Sequence, residues 1–201
     1  MALTGVVLYG FAFGHMAGNL QFFLGATRFD AYGAGIKANA VLLWGVRSLL
    51  LVSVILHVTT AVQLTALKRE ARPQAYKRAG RVVASYASKS MFYGGLVLLA
   101  FLIFHILHFT TGNAHPNFVE GAAYANVVNG FKIAPVAAFY IFAMLALSLH
   151  LYHGVWSVFQ SLGLNHPRYM PKLKVFAKVF SAVVTAGFIS IPIAVLAGIA
   201  A

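Results

Sequence analysis

Six histidines lie inside long apolar segments of this chain, where ionisable side chains are costly and point to function. Two stand alone, and four form two doublets with a spacing of three residues, which places both members on one helix face. An imidazole in such a place can ligate a metal or haem iron, carry a proton, or hydrogen-bond across a helix interface. The six are His15, His57, His105, His108, His150 and His153.

The composition excludes a water-soluble enzyme. Of 201 residues, 61% are apolar and 9% are charged, against about 45–50% and 25% in soluble domains. The mean hydropathy is +0.83. The net charge of +12 falls mostly in the gaps between apolar runs, which is typical of a membrane protein and not of a nucleic-acid-binding one. Cys is absent, which excludes disulfides, thiolate-bound iron–sulfur clusters and haem attached through C-x-x-C-H in this chain.

The sequence predicts an all-α membrane protein, with 1–201 as one integral membrane domain. A spanning helix needs about 20 predominantly apolar residues, and five runs meet that length. We expect the outer loop 112–132 to contain a short interfacial helix. The first run lacks the basic leader of a signal peptide, and its abrupt start suggests a longer natural N-terminus. The five predicted spans cover about 2–24, 39–67, 90–111, 133–162 and 174–200.

Basic residues give the spans a direction. Eleven Lys and Arg lie in 68–89 and 163–178, and four lie on the opposite side. By the positive-inside rule the loops 68–89 and 163–173 are cytoplasmic, as is the N-terminus. Orientation alone accounts for such loops, although seven positive charges in 68–89 also suit the docking of a partner.

Depth relates four of the histidines to one another. His15, His57, His105 and His150 each lie a few residues beyond the middle of their spans, and successive spans run in opposite directions. His15 and His105 therefore share a level in the outer half, and His57 and His150 share one in the inner half, roughly 10 Å away. The first four spans would then form a bundle with two stacked imidazole pairs.

Each pair could hold a flat apolar cofactor between its two rings, and haem b with two axial imidazoles fits this description. A bare metal site is disfavoured because the spans contain no Asp or Glu. By spacing alone either member of each doublet could bind iron. Depth favours His105 and His150, and it leaves His108 and His153 nearer the membrane surfaces.

Five segments resemble the cytochrome b membrane subunit of succinate dehydrogenase and fumarate reductase, in its single-chain, five-helix, two-haem form. The likeness covers nearly the whole chain and is specific in spans one, three and four. The segments are Met1–Gly5, Phe13–Leu20, Ile55–His57, Phe101–Gly112 and Leu149–Ser157.

The resemblance implies a chain in the bacterial cytoplasmic membrane that anchors two partners on the cytoplasmic face: a flavoprotein subunit with FAD and an iron–sulfur subunit. Electrons would pass between the iron–sulfur clusters, two haem b groups and a membrane quinone, with menaquinone favoured. It assigns His15 and His105 to the outer haem, and His57 and His150 to the inner haem. This chain alone would carry no succinate chemistry, although its complex would be an oxidoreductase.

Three further residues are candidates for binding haem propionates or a quinone: Arg47 at the outer end of span two, and Tyr86 and Lys89 at the start of span three. The chain departs from the family in one respect. Some members carry a membrane-embedded Glu near the fourth ligand, whereas this chain has Ser148 two residues before His150. We therefore expect no proton path based on Glu.

Two other functions stay open at this stage. One is the cytochrome b subunit of another respiratory dehydrogenase or a hydrogenase. The other is a cofactor-free transporter or anchor whose histidines carry protons or bond neighbouring helices. A reduced-minus-oxidised spectrum separates the second from the haem proteins, and co-purifying subunits separate the dehydrogenase types.

Overall fold

The computed structural model describes residues 1–71 and 86–199, with the backbone alone for 86–89. This part of the chain is helical. A 3₁₀ segment, Leu20–Leu24, follows the first helix, and a π-helical segment, Ile106–Thr110, extends the fourth. The helices are α1 (Ala2–Asn19), α2 (Ala26–Ala38), α3 (Ala40–Glu70), α4 (Tyr86–His105), α5 (Ala123–Phe131), α6 (Ala134–Ser161) and α7 (Met170–Leu196).

Four helical stretches of the described chain are long and apolar enough to cross a membrane: α3, the segment Ser90–Thr110, α6 and α7. The prediction of an all-α, multi-pass membrane protein is confirmed at this level. The first predicted span is represented by α1, whose 18 residues rise roughly 27 Å. It contains the polar side chains of His15 and Asn19, which lower its hydropathy.

Local sequence explains where several helices begin. Asn39 has an extended backbone, and its side-chain oxygen accepts a hydrogen bond from the Leu42 amide at 2.9 Å, so it caps the start of α3. Pro135 lies in the first turn of α6, where its missing amide proton costs little. Gly25 separates the 3₁₀ segment from α2 with φ of 89°, a conformation that favours glycine.

Two short helices close the end of the molecule that contains the loop 112–132. One is α5, so this loop contains a short helix as expected. The other is α2, in a stretch between the first two predicted spans for which no helix was predicted. The carboxylate of Asp30 on α2 accepts a hydrogen bond from the Tyr124 amide at 2.8 Å. This contact puts a negative charge at the N-terminus of α5, where the helix dipole favours it.

The hydrophobic core is concentrated at this same end and between α6 and α7. The larger cluster joins the 3₁₀ segment, α2, α5, α6 and α7, and a smaller one joins α1, α6 and α7. By contrast, α3 packs against α1 and α2, and its one buried residue is Ser53. The larger cluster contains Phe22, Phe29, Val128, Phe131, Ala137, Tyr140, Ile191 and Val195, and the smaller contains Met16, Leu151 and Val184.

Close packing of α5 on the π-helical segment depends on Gly130. A Cβ at this position would lie 2.8 Å from Cε1 of His108, which is fully buried and cannot move aside cheaply. We predict that Gly130→Ala lowers the free energy of unfolding by about 1–3 kcal/mol through overpacking, measured by unfolding of the purified protein in detergent.

The matched control is Gly45→Ala in α3, where a Cβ meets nothing within 4 Å. Replacing an exposed helical glycine by alanine is expected to stabilise by about 0.5–1 kcal/mol. Equal effects of the two substitutions would contradict the packing described for Gly130.

Candidate functional site

The histidine pair expected to be the outer one lies between α1 and the end of α4. The ring centroids of His15 and His105 are 5.9 Å apart, and the ring planes are inclined at 80°. Apolar rings flank the pair: Phe11 stacks on His15 at 5.2 Å, and Phe101 stacks on His105 at 5.6 Å. Both imidazoles are half-buried. The structure therefore brings together the two residues that depth along the spans had related.

The inner pair lies between α3 and α6. The ring centroids of His57 and His150 are 6.2 Å apart, with an angle of 58° between planes. Both rings are half-buried, and the chain contains no acidic residue within either helix except Glu70 at the far end of α3. This is the second of the two pairings expected from depth.

The spacing within each pair suits one metal ion between two imidazoles. A bond from a metal to an imidazole nitrogen is about 2.0–2.1 Å long, so two such rings on opposite sides of one ion have centroids roughly 6 Å apart. At this distance between centroids, the nitrogen atoms of one ring lie too far from those of the other ring to form a hydrogen bond. Residues present in the structure thus fit a group whose metal is held on two faces.

The two helices that carry each histidine pair do not pack along each other. The helix α4 packs along α6, and α1 packs along α3 and α6, whereas neither α1 with α4 nor α3 with α6 packs along its length. Each histidine pair therefore faces across a separation between two helices. Such a separation is what a flat apolar disc requires.

Open space adjoins the inner pair. A cavity of about 300 Å³ lies between α4 and α6, and its lining is almost entirely apolar. His150 lines it, as does Gly94, where a Cβ would meet nothing within 4 Å. The other lining residues are Ser90, Met91, Tyr93, Val97, Phe142, Leu145, Ala146 and Leu149.

Hydroxyl groups contact the rings of two of the four histidines. Nδ1 of His57 lies 3.2 Å from Oγ1 of Thr4, and Nδ1 of His105 lies 3.3 Å from the Tyr140 hydroxyl. Sequence analysis missed both residues. Thr4 lies in the segment Met1–Gly5, which carries part of the resemblance, but it was assigned no role. Tyr140 reaches His105 from a different helix, so no spacing along the chain marks it.

The second members of the doublets point elsewhere. His108 is fully buried, lies 3.1 Å through Nδ1 from the Tyr140 hydroxyl, and stacks on His115 of the outer loop at 4.9 Å. His153 lies against Trp156 of the same helix, with ring centroids 5.0 Å apart. Among the described residues, neither faces a histidine of another spanning helix.

The structure describes the side chain of one of the three residues predicted to bind propionates or a quinone. The guanidinium of Arg47 lies 5.1 Å above the ring of Trp44, a cation–π contact of the kind found where a helix meets the membrane surface. The side chains of Tyr86 and Lys89 lie outside the described residues, as do the basic residues of 72–85. Their roles toward propionates or a quinone stay predictions.

Comparison with known proteins adds no family to this geometry: no protein-family model, no curated protein and no solved structure matches the chain. Among the described residues, no three His, Asp or Glu side chains lie together where they could hold one metal ion. The arrangement that the structure offers is therefore two separate pairs.

Proposed function

We propose that this chain is a membrane cytochrome b that holds two haem b groups, each between two histidines of different helices. Within that class, we propose that it is the membrane-anchor subunit of a succinate:quinone oxidoreductase. The observation that carries the proposal is the presence of two imidazole pairs with ring centroids 5.9 and 6.2 Å apart, each facing across two helices that do not pack on each other.

In this proposal His15 and His105 ligate the outer haem, and His57 and His150 ligate the inner haem. A bound haem would supply one-electron redox chemistry, at a potential that the axial ligands and their surroundings set. The helices supply the rest: they hold the imidazoles at the required separation, and their apolar side chains exclude water from the two sites. Low polarity strengthens each remaining electrostatic contact.

The geometry also bears on the cofactor-free alternative. If the histidines served only to bond neighbouring helices, the paired rings would be expected to hydrogen-bond each other or to lie where helices pack. The paired rings do not hydrogen-bond each other, and the two helices that carry each pair do not pack along each other. His57 and His105 do bond neighbouring helices that pack, through Thr4 of α1 and Tyr140 of α6. The separation within each pair is what favours a group between the rings, and hence a cytochrome over a transporter.

The remaining features of the proposal follow the resemblance and the charge pattern. The chain would cross the bacterial cytoplasmic membrane five times, the first span comprising α1 and the 3₁₀ segment Leu20–Leu24. A flavoprotein subunit and an iron–sulfur subunit would bind on the cytoplasmic side, beside the basic loop 68–89. Electrons would pass between the iron–sulfur subunit and a membrane quinone, menaquinone being favoured. The subunits that co-purify would distinguish this complex from another respiratory dehydrogenase or a hydrogenase.

Haem counting tests the four proposed ligands. We expect the purified complex to contain two haem b per chain, and each single replacement of His15, His57, His105 or His150 by Ala to leave one. Replacements of His15 and His105 should remove the same haem, identified by its spectrum and potential, because the two residues share one iron.

The doublets supply matched controls for this experiment. His108→Ala and His153→Ala should keep both haems, because neither ring faces a histidine of another spanning helix. Loss of a haem from His108→Ala together with retention in His105→Ala would show that the ligand in α4 is wrongly assigned. A complex without haem bands in its reduced-minus-oxidised spectrum would refute the proposed function.

The angles between ring planes predict a difference between the two ferric haems. The ring planes are inclined at 80° in the pair His15–His105 and at 58° in the pair His57–His150. The two sites would therefore hold haems in different surroundings, and we expect two distinguishable low-spin ferric signals. One of them should disappear in His15→Ala and the other in His57→Ala, and loss of the same signal in both variants would contradict the two separate pairs.

Single cysteines test the orientation of the spans, since the chain has no cysteine of its own. Asn113 and Asn165 are exposed in loops that the positive-inside rule places on opposite sides. In intact spheroplasts, a membrane-impermeant maleimide should label Asn113→Cys and spare Asn165→Cys, with both labelled after lysis. The reverse pattern would invert the proposed topology.

A further inference from the structure

We infer that the hydroxyl groups of Thr4 and Tyr140 are positioning groups for the two haem sites. Thr4 fixes the ring of His57 at the inner site, and Tyr140 fixes the ring of His105 at the outer site. The inference rests on the proposed function, because it concerns which nitrogen each ring presents to iron. It goes further by assigning the tautomer of one ligand in each pair and the group that sets it.

The tautomer of His57 follows from the number of protons on a hydroxyl. Oγ1 of Thr4 lies 2.9 Å from the carbonyl oxygen of Met1, an oxygen that can only accept, so the single hydroxyl proton of Thr4 is donated there. The contact of 3.2 Å with Nδ1 of His57 must then be one in which Thr4 accepts. Nδ1 of His57 therefore carries the proton, and Nε2 keeps the lone pair that a metal requires.

Tyr140 bridges two rings with one proton. Its oxygen lies 3.3 Å from Nδ1 of His105 and 3.1 Å from Nδ1 of His108. If Nε2 of His105 ligates iron, Nδ1 of His105 carries a proton and donates it to the tyrosine oxygen. The tyrosine proton is then free to be donated to Nδ1 of His108, so both contacts are satisfied in one direction.

The surroundings of Tyr140 hold this bridge in place. Its side chain is 6% exposed, and its ring makes edge contacts with Phe101, Phe104 and Phe131 at 4.9 to 6.0 Å. His108, the far end of the bridge, is fully buried against Gly130. A rotation of the tyrosine ring would disturb all of these contacts, so the hydroxyl is fixed where His105 meets it.

The other ligand of the inner pair lacks such a partner. Nδ1 of His150 is buried, and none of the described residues forms a hydrogen bond with it. The inner site is therefore asymmetric, with one hydroxyl-bonded imidazole and one without that bond. A substitution of Thr4 consequently changes one ligand and leaves the opposite ligand as it was.

Removal of the hydroxyl should alter the redox potential. A hydrogen bond from Nδ1–H makes the imidazole a stronger donor to the metal, and a stronger donor favours ferric over ferrous iron. Loss of the bond should therefore raise the midpoint potential of the haem concerned. A tenfold change in the ferric–ferrous equilibrium corresponds to about 59 mV for a one-electron couple, and we expect a shift of this order.

The test uses two nearly isosteric substitutions that serve as controls for each other. Potentiometric titration of the purified complex should show that Tyr140→Phe raises the potential of the outer haem and leaves the inner one unchanged. Thr4→Val should raise the inner potential and leave the outer one unchanged. Thr4→Ser, which restores a hydroxyl, should return the inner potential to its original value.

The possible outcomes separate this inference from the proposed function. Absence of haem in the parent complex would overturn both. Two results would overturn the inference alone. One is that each variant keeps two haems per chain and shows no site-selective shift in potential. The other is that the potentials of both haems shift equally in either variant. Loss of only the outer haem in Tyr140→Phe would support it, since both outer ligands are intact in that variant.

Discussion

The low polarity of the membrane interior is the constraint on which the rest of this structure depends. An imidazole there must find partners for both nitrogens or bear a cost in free energy. The four paired histidines meet across 5.9 and 6.2 Å, too far apart to satisfy each other directly. Two of them bond hydroxyl groups through Nδ1, and Nδ1 of His150 is buried without a hydrogen bond from the described residues. The metal proposed between the rings of each pair would bond one ring nitrogen of each imidazole.

The distribution of the core follows from the same requirement. Buried side chains gather between α6 and α7 and beneath the two outer helices, whereas α3 and the apolar stretch of α4 bury almost none of their residues. The helix α4 packs along α6, and α3 packs along α1, but neither α1 with α4 nor α3 with α6 packs along its length. The two histidine pairs lie between these helices that do not pack on each other.

Sequence reasoning predicted the features that depend on apolar length and on depth. The helical membrane architecture, the outer helix α5 and the spatial pairing of His57 with His150 follow from run lengths and residue positions. The helix α2 was missed, because its Arg28, Asp30 and Lys37 give it no apolar run. Thr4 and Tyr140 were missed for another reason: their contacts join separate helices, and no pattern along one helix encodes them.

The two histidine doublets show how a spacing that is ambiguous in sequence becomes specific in space. A regular α-helix would present His105 and His108 on one face. The helix instead widens after His105. The Thr111 amide donates a hydrogen bond to the carbonyl of Ile106 at 3.0 Å, as in a π-helical turn. Such turns often mark a functional site. Both histidines contact the Tyr140 hydroxyl through Nδ1. His105 also contacts His15 of α1, whereas His108 is fully buried beside His115. Among the described residues, His105 is thus the member of the doublet that meets a histidine of another long helix, which is why the proposal assigns the metal to it.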